Sequence, residues 1–335
     1  MTRTSSFPFL IAEIGSVHDG SFGNALKLIE AAAAAGADAV KFQTHIASAE
    51  TLKGAPMPPY FKGEPRFEYF TRTGFNAEQW ATLKAACDEL GVTFLSSPFS
   101  LEAVDLLESI GMSHYKIPSG EISNIPLIDR IAKTGKPILL SSGMSSWAEV
   151  GRAVEAARSG RTPVLVMQCT TQYPCPPERV GLNVMIEMRT RYGLPVGFSD
   201  HTLGPAACMA AVTLGAECVE KHFAFSRLMY GSDARHSMEP HEFKAMADGL
   251  HEIRAMLANP VDKNDLSQYG DMKRIFEKSI VTARALPAGH PLVEDDLAFK
   301  KPGDGIPAAH WHQLIGRRLS QAVDADHKLS MDDLQ

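Results

Sequence analysis

One pattern constrains this chain more than any other. Between Phe9 and Leu257 a short apolar run gives way to an amphipathic stretch, and the pair recurs eight times. FLIAEI precedes ALKLIEAAAAAG, DAVKFQ precedes AEQWATLKAACDELG, and VTFLSS precedes LEAVDLLESIG. The later rounds are HYKIPS with PLIDRIAKTG, PILLSS with WAEVGRAVEAARSG, VLVMQC with VMIEMRTRYG, PVGFSD with AACMAAVTLG, and CVEKHF with HEFKAMADGLHEIRAML. Runs apolar at nearly every position suit strands covered on both faces, as in a parallel sheet. Eight strand-then-helix units over about 250 residues predict an α/β chain folded as a TIM (β/α)8 barrel. Gly36, Gly91, Gly111, Gly135, Gly160, Gly193 and Gly215 close amphipathic stretches, where a left-handed cap is expected.

The barrel is expected over residues 1–258, followed by a polar, aperiodic linker over 259–275. From 276 to 335 the chain carries short strands broken by Pro and Gly turns, a small β-rich module. About 60 residues are marginal alone, so the module should pack on the barrel or on a second subunit. Charged residues make up 21% of the 335, with a net charge of −6, which leaves no basic field for nucleic acid or an anionic membrane. The N-terminal stretch lacks a signal peptide's apolar core and breaks at Pro8, and no run approaches the roughly 20 apolar residues that span a bilayer. A cytoplasmic location is expected. Cys87, Cys169, Cys175, Cys208 and Cys218 are scattered and odd in number, which points to reduced thiols, and no chemistry is assigned to them.

In a parallel barrel the site lies at the carboxyl ends of the strands, and residues two apart share a face. Glu13 is in phase with Phe9 and Ile11; Lys41 pairs with Gln43, His114 with Lys116, Ser199 with His201, and Glu220 with His222. A single inward Lys or Glu is as often part of a neutralised ion network as of a binding site. Several charges in one mouth are a different matter, because burial is costly unless they neutralise one another or a ligand. Lys41, Lys116, Ser97 and Ser119 form an anion-binding set for a small, multiply anionic substrate. His201 and His222 could hold a divalent metal with positions left open.

The motifs AEIGSVHDG (12–20), GADAVKFQTH (36–45), FLSSPFS (94–100), YKIPSGE (115–121), ILLSSGMS (138–145), QCTTQYPCP (168–176), GFSDHT (197–202) and VEKHF (219–223) occur in this order. Together they resemble the sialic acid synthase family, which includes legionaminic and pseudaminic acid synthases. SIVTARALPAGHPLVEDDLAFKKPGDGI resembles the antifreeze-like (SAF) domain that follows the barrel there. The resemblance implies a synthase that condenses phosphoenolpyruvate with an N-acylated amino-sugar aldehyde, N-acetylmannosamine or a 2,4-diacetamido-trideoxyhexose. It also implies a homodimer in which the small domain swaps over the partner's site.

Carried over residue by residue, the resemblance assigns Lys41, Ser97, Lys116, Ser119, Thr171 and Ser199 to phosphoenolpyruvate. It assigns His201 and His222 to a divalent metal, usually manganese, with magnesium or cobalt as alternatives. Gln43, Tyr173, Asp233 and Lys301 face the sugar, and Glu13 faces the reacting centre, either orienting water or tethering a phosphate-binding lysine. The chain departs from the family pattern at Val17, where Asn is usual, at Thr171, where Asn commonly follows CT, and at Lys301, where Arg is common. Lysine lacks arginine's planar fork. The segments 46–74 and 225–240 are expected to shape the sugar pocket. Two other readings compete: a metal-independent Schiff-base aldolase using Lys41 or Lys116, and a catalytically silent sugar-binding scaffold.

Overall fold

Each of the eight apolar runs forms a strand in the computed structural model, which describes Phe7, residues 9–56 and residues 63–335. The strands are β1 Leu10–Gly15, β2 Ala39–Thr44, β3 Thr93–Pro98, β4 Tyr115–Ile117, β5 Ile138–Ser141, β6 Val164–Cys169, β7 Val196–Asp200 and β8 Cys218–His222. They pair in parallel in chain order, and β8 closes on β1 with Leu10 opposite Val219 and Glu13 opposite His222. The expected barrel is therefore the observed one.

The two-residue period of the strands divides the side chains into an outer and an inner set. Leu10, Ala12, Ile14, Val40, Phe42 and Phe94 point outward and join Leu28, Ile29, Leu83 and Ile128 of the surrounding helices in the main core. Inside, Phe7, Ile11, Ala39, Leu95, Leu139, Leu165, Met167 and Cys218 form an apolar floor. Two residues further along the same strands the inward positions turn polar, at Glu13, Lys41, Ser97, Ser141, Cys169 and Glu220, all of them buried. A dry floor supporting a buried polar layer at the carboxyl end is what positions the site.

The helices begin where short polar side chains satisfy their free N–H groups. The Ser21 hydroxyl accepts from Asn24 N–H at the start of helix Phe22–Ala34, and Ser146 with Glu149 forms a capping box on helix Trp147–Arg158. Gly160 departs from the expected left-handed cap: it lacks a positive φ, and a β-carbon there would collide with the Ala132 carbonyl. Close backbone approach, not conformation, requires glycine at this point. The connection from β2 to β3 carries two additional helices, Ala47–Glu50 and Arg66–Thr73, ahead of helix Ala77–Glu89. Residues 57–62, part of the segment expected to shape the sugar pocket, lie outside the described residues, as does Pro8.

The chain divides into two compact units, Met1–Asn259 and Pro260–Gln335. In the second, the segment read as a linker holds a 3-10 turn, Ser267–Tyr269, and the start of helix Gly270–Phe276, with no buried side chain. Beyond it β9, Ser279–Thr282, pairs antiparallel with β10, Leu297–Lys300. Ile280, Leu286, Leu292, Leu297, Leu314, Leu319, Val323, Leu329 and Leu334 form its core. A repeat runs through it that the sequence reading missed: AGHPLVEDDL (288–297) and ADHKLSMDDL (325–334). His290 and the Val293 N–H meet the buried Asp296, and His327 and the Ser330 N–H meet the buried Asp333 in the same way. Leu286 and Val323, at equivalent positions, exchange backbone hydrogen bonds, which marks a local two-fold. All five cysteines are free and buried, and no described helix is long and apolar enough to cross a membrane.

Candidate active site

The inward ends of the strands enclose a cavity of about 300 Å³. Its wall includes eleven of the residues singled out from sequence: Glu13, Lys41, Gln43, Lys116, Ser119, Thr171, Tyr173, Ser199, His201, His222 and Asp233. Ser97 stands just behind the wall, fully buried, with its hydroxyl 3.3 Å from Lys41 Nζ. Lys301 belongs to the second unit, where its ammonium lies 5.0 Å from the centre of the Phe276 ring. His114 is a correction. It precedes β4, at the strand's amino end, and bonds the Ser113 hydroxyl, so it does not share the mouth with Lys116.

The buried charges alternate in sign. Lys41 Nζ is 2.8 Å from Glu13 and 3.5 Å from Glu220, and Lys116 Nζ is 2.6 Å from Glu220. Ser199 Oγ donates to Glu220 at 3.3 Å. Burial raises the Glu13 carboxyl to about 7, only partly offset by Lys41 and reinforced by repulsion from Glu220. For Glu220 burial also acts upward, but Lys116 and Lys41 outweigh it and hold the group at about 2. Burial acts downward on Lys41, and Glu13 and Glu220 more than compensate, leaving it above its ordinary value. Glu220 is thus the fixed anion and Glu13 the carboxyl able to change its proton near neutrality.

Beside this row lie hydroxyls and glycines. Thr171 Oγ1 is buried without a hydrogen-bond partner, and Ser119 Oγ accepts from the Gly143 N–H at 3.0 Å. A β-carbon at Gly143 would collide with Thr171 Oγ1 and lie 2.6 Å from Ser119 Oγ, so glycine lets the loop after β5 close against both hydroxyls. At Gly15, φ +54°, a β-carbon would lie 2.9 Å from Asp233 Oδ2 and 3.3 Å from Gln43 Nε2. Only glycine lets these groups converge over Glu13.

The two histidines sit side by side, ring centres 5.5 Å apart, with the Tyr173 ring 4.1 Å from His201. His201 Nδ1 donates to the Thr170 carbonyl at 2.8 Å, which leaves Nε2 as the nitrogen available to a ligand. Burial lowers His222 to about 4, so its ring is neutral near pH 7, and its Nδ1 is buried with no partner. His201 is instead held above its ordinary value: burial acts downward, but Cys169, the Thr170 carbonyl and Asp200 outweigh it. Two adjacent imidazoles with unused nitrogens fit a divalent metal, whose binding would displace any proton held there. Among the described residues no group of three or more His, Cys, Asp or Glu gathers into a complete cage. The pair would therefore make an open site whose other ligands are water and substrate.

Sequence reasoning placed Glu220 in phase but gave it no role, although it is the carboxylate that pairs with both lysines. It missed Ser141 and Cys169, which line the cavity. The parity rule would have found both, two residues beyond Leu139 and Met167. His45, Arg66, Phe70 and Phe99 also line the wall and carry no strand periodicity of their own that a parity test could use.

The chain matches the NeuB family over residues 28–262 and the SAF domain over 277–335. It is 35% identical to N,N'-diacetyllegionaminic acid synthase of Campylobacter jejuni, over 95% of this chain and 97% of that protein. It is 31% identical to N-acetylneuraminate-9-phosphate synthase of Drosophila melanogaster, over 96% and 94% of the two chains. Among solved structures, the N-acetylneuraminic acid (sialic acid) synthetase of Leptospira borgpetersenii in complex with citrate superimposes with a TM-score of 0.71 at 28% identity, covering 80% of this chain and 92% of that one. Its relatives are nonulosonic acid synthases, which supports a biosynthetic enzyme built on the barrel described above. With its eight-stranded barrel, buried lysine–glutamate row and following SAF domain, the chain belongs to the NeuB family, the sialic acid synthases.

Proposed function

We propose that this chain condenses phosphoenolpyruvate with the open-chain aldehyde of an N-acylated amino sugar, N-acetylmannosamine or a 2,4-diacetamido-trideoxyhexose. The product is a nine-carbon 2-keto sugar acid and inorganic phosphate. One observation carries the reading: two buried lysines on a carboxylate row open into the same cavity as a partnerless hydroxyl and two adjacent histidines. Lys41 and Lys116, with Ser97, Ser119, Thr171 and Ser199, supply donors for phosphate and carboxylate oxygens. Gln43, Tyr173 and Asp233 line the side on which the acceptor would lie, and Lys301 is assigned to the sugar by family resemblance.

In the reaction C3 of phosphoenolpyruvate bonds to the aldehyde carbon, water adds at C2, and the C2–O bond to phosphate breaks. Glu13 is suited to take the proton of that water, because its carboxyl changes state near neutral pH. A divalent ion on His201 and His222, manganese or else magnesium or cobalt, would supply Lewis-acid stabilisation to the aldehyde oxygen. The Schiff-base reading is less favoured, since Lys41 is held above its ordinary value where an amine nucleophile needs to be lowered. The reading also includes a homodimer, which sedimentation velocity would test.

The deciding assay measures phosphate released from phosphoenolpyruvate with manganese and a panel of amino sugars, with and without chelator. Release that needs both one sugar and the metal is expected. Release without metal, or pyruvate trapped on the chain by borohydride, would overturn the proposal.

A further inference from the structure

The charged row leaves one cation of the cavity wall unused. Lys41 and Lys116 have carboxylate partners, whereas the Arg66 guanidinium, which lines the same cavity, has no hydrogen bond or ion pair among the described residues. Arg66 opens helix Arg66–Thr73 and lies over the Phe70 ring, 5.0 Å from its centre. Phe70 in turn stacks on His45, centres 3.7 Å apart, and His45 on Phe99 at 4.1 Å, with planes within 19°. A guanidinium and three flat rings thus stand in one stack along the wall. A guanidinium seated on an aromatic face keeps its N–H edges free to donate.

Arginine has five donors and no acceptor, so its ligand must bring lone pairs, either as an anion or as a carbonyl. The surroundings choose between them. Burial raises the Glu121 carboxyl; the hydrogen bond from Asn124 and the charge of Arg66 act against this, and Glu50 adds to it. Both carboxyl groups are therefore within reach of the charge at Arg66, and an incoming anion would meet them. A carbonyl dipole carries no net charge for them to repel. The rings beside the fork also need apolar cover, which a phosphate lacks. An acylamido group joins a carbonyl oxygen to a methyl in one flat unit and matches both the donors and the rings.

We propose that Arg66 is a specificity-determining residue: its guanidinium donates to the carbonyl of an acylamido group on the acceptor sugar, and the Phe70–His45–Phe99 stack covers the methyl of that group. The inference rests on the condensation reading for the acceptor being an N-acylated sugar. Phosphoenolpyruvate, on the lysine side of the cavity, is bound without Arg66.

Two substitutions test it. Arg66→Met keeps an unbranched chain over Phe70 and removes the donors, and Arg66→Lys keeps the charge without the fork. Phosphate release is followed with the acylated sugar of the panel that the parent uses, and with the same sugar carrying a hydroxyl in place of each acylamido group in turn, as mannose does for N-acetylmannosamine. For Arg66→Met, kcat/KM should fall about ten- to hundredfold with the acylated sugar and at most about twofold with one hydroxyl analogue. Arg66→Lys should recover little of the loss, and phosphoenolpyruvate affinity, measured by calorimetry, should stay within about twofold in both variants. Equal losses on both sugars would mean that Arg66 only supports the fold, and overturn the proposal. So would a Lys variant equal to the parent, or a parent that prefers a phosphorylated sugar and loses that preference in Arg66→Met.

A second readout needs no turnover. With phosphoenolpyruvate bound, saturation of the protein's aromatic protons should pass to the acyl methyl of the sugar more strongly than to its ring protons in the parent, and this preference should vanish in Arg66→Met. A methyl no better saturated than the ring protons in the parent overturns the proposal whatever the assay reads. The expected transfer without any phosphate release would sink the condensation reading alone and leave Arg66 its role in binding. Phosphate release that Arg66→Met leaves intact would sink this inference alone, and a parent that neither binds nor turns over any acylated sugar would sink both.

Discussion

At the residue scale, the two carboxylates of the cavity divide the work. Glu220 meets Lys116 at 2.6 Å and Lys41 at 3.5 Å and stays ionised, whereas Glu13, with one lysine and an amide, is raised to about 7 by burial. A carboxyl whose folded pKa lies above its unfolded value binds an extra proton when folded. Its contribution is therefore present below pH 4.5 and is lost as the pH rises toward 7. His18 and His222, both lowered to about 4 chiefly by burial, act in the opposite sense over much of the same window, so the parent's profile alone mixes them. Comparison with Glu13→Gln isolates the one group. The variant should gain on the parent as the pH rises from 4.5 to 7, by up to roughly 3 kcal/mol in urea unfolding. The same variant should lose turnover while phosphoenolpyruvate affinity is nearly kept; retained turnover would leave Glu13 only a tether for Lys41.

At the scale of elements, the second unit is a short motif used twice. Gly289, φ +76°, and Asp326, φ +64°, occupy equivalent left-handed positions ahead of His290 and His327. No atom lies within 4 Å of where a β-carbon at Gly289 would stand, so substitution there meets backbone strain and no collision. Gly289→Ala should cost about 1–2 kcal/mol, read as faster amide exchange at Ile280 and Leu286 in the unit's core. A loss well beyond that would mean the motif depends on more than its backbone conformation. In the barrel, β7 and β8 deliver residues to both sides at once. His201 and His222 point inward, while their neighbours Asp200 and Lys221 pair at 2.6 Å on the outer face. Lys221 also reaches the Gly204 carbonyl at 3.1 Å, which ties down the loop that follows His201.

For the whole molecule, a layer of buried charge is held in place by an apolar floor below and a ring of helices outside, and an anionic ligand should reinforce it. Phosphoenolpyruvate at about a hundred times its dissociation constant is expected to raise unfolding stability by about 2.7 kcal/mol, seen as an upward shift in Tm. No shift at saturation would mean the lysines stay committed to their glutamates. Eight strand–helix units, their order and the phase of Glu13, Lys41, Ser199, His201 and His222 were legible in the sequence, because burial on both faces and a two-residue period are local properties of a strand. Which strands become neighbours across the barrel is not local. Glu220 on β8 meets Lys116 on β4 and Lys41 on β2, and His45, beyond the end of β2, finds its slot between Phe70 and Phe99; these pairings exist only once the sheet has closed. His114 was misjudged for the same reason, since phase names a face but not an end. The chain's pattern thus determined the barrel and most of the wall of its cavity. The closed tertiary structure decided which carboxyl stays charged, which one titrates, and what orients it, because those depend on distances and burial set by residues far apart in the chain.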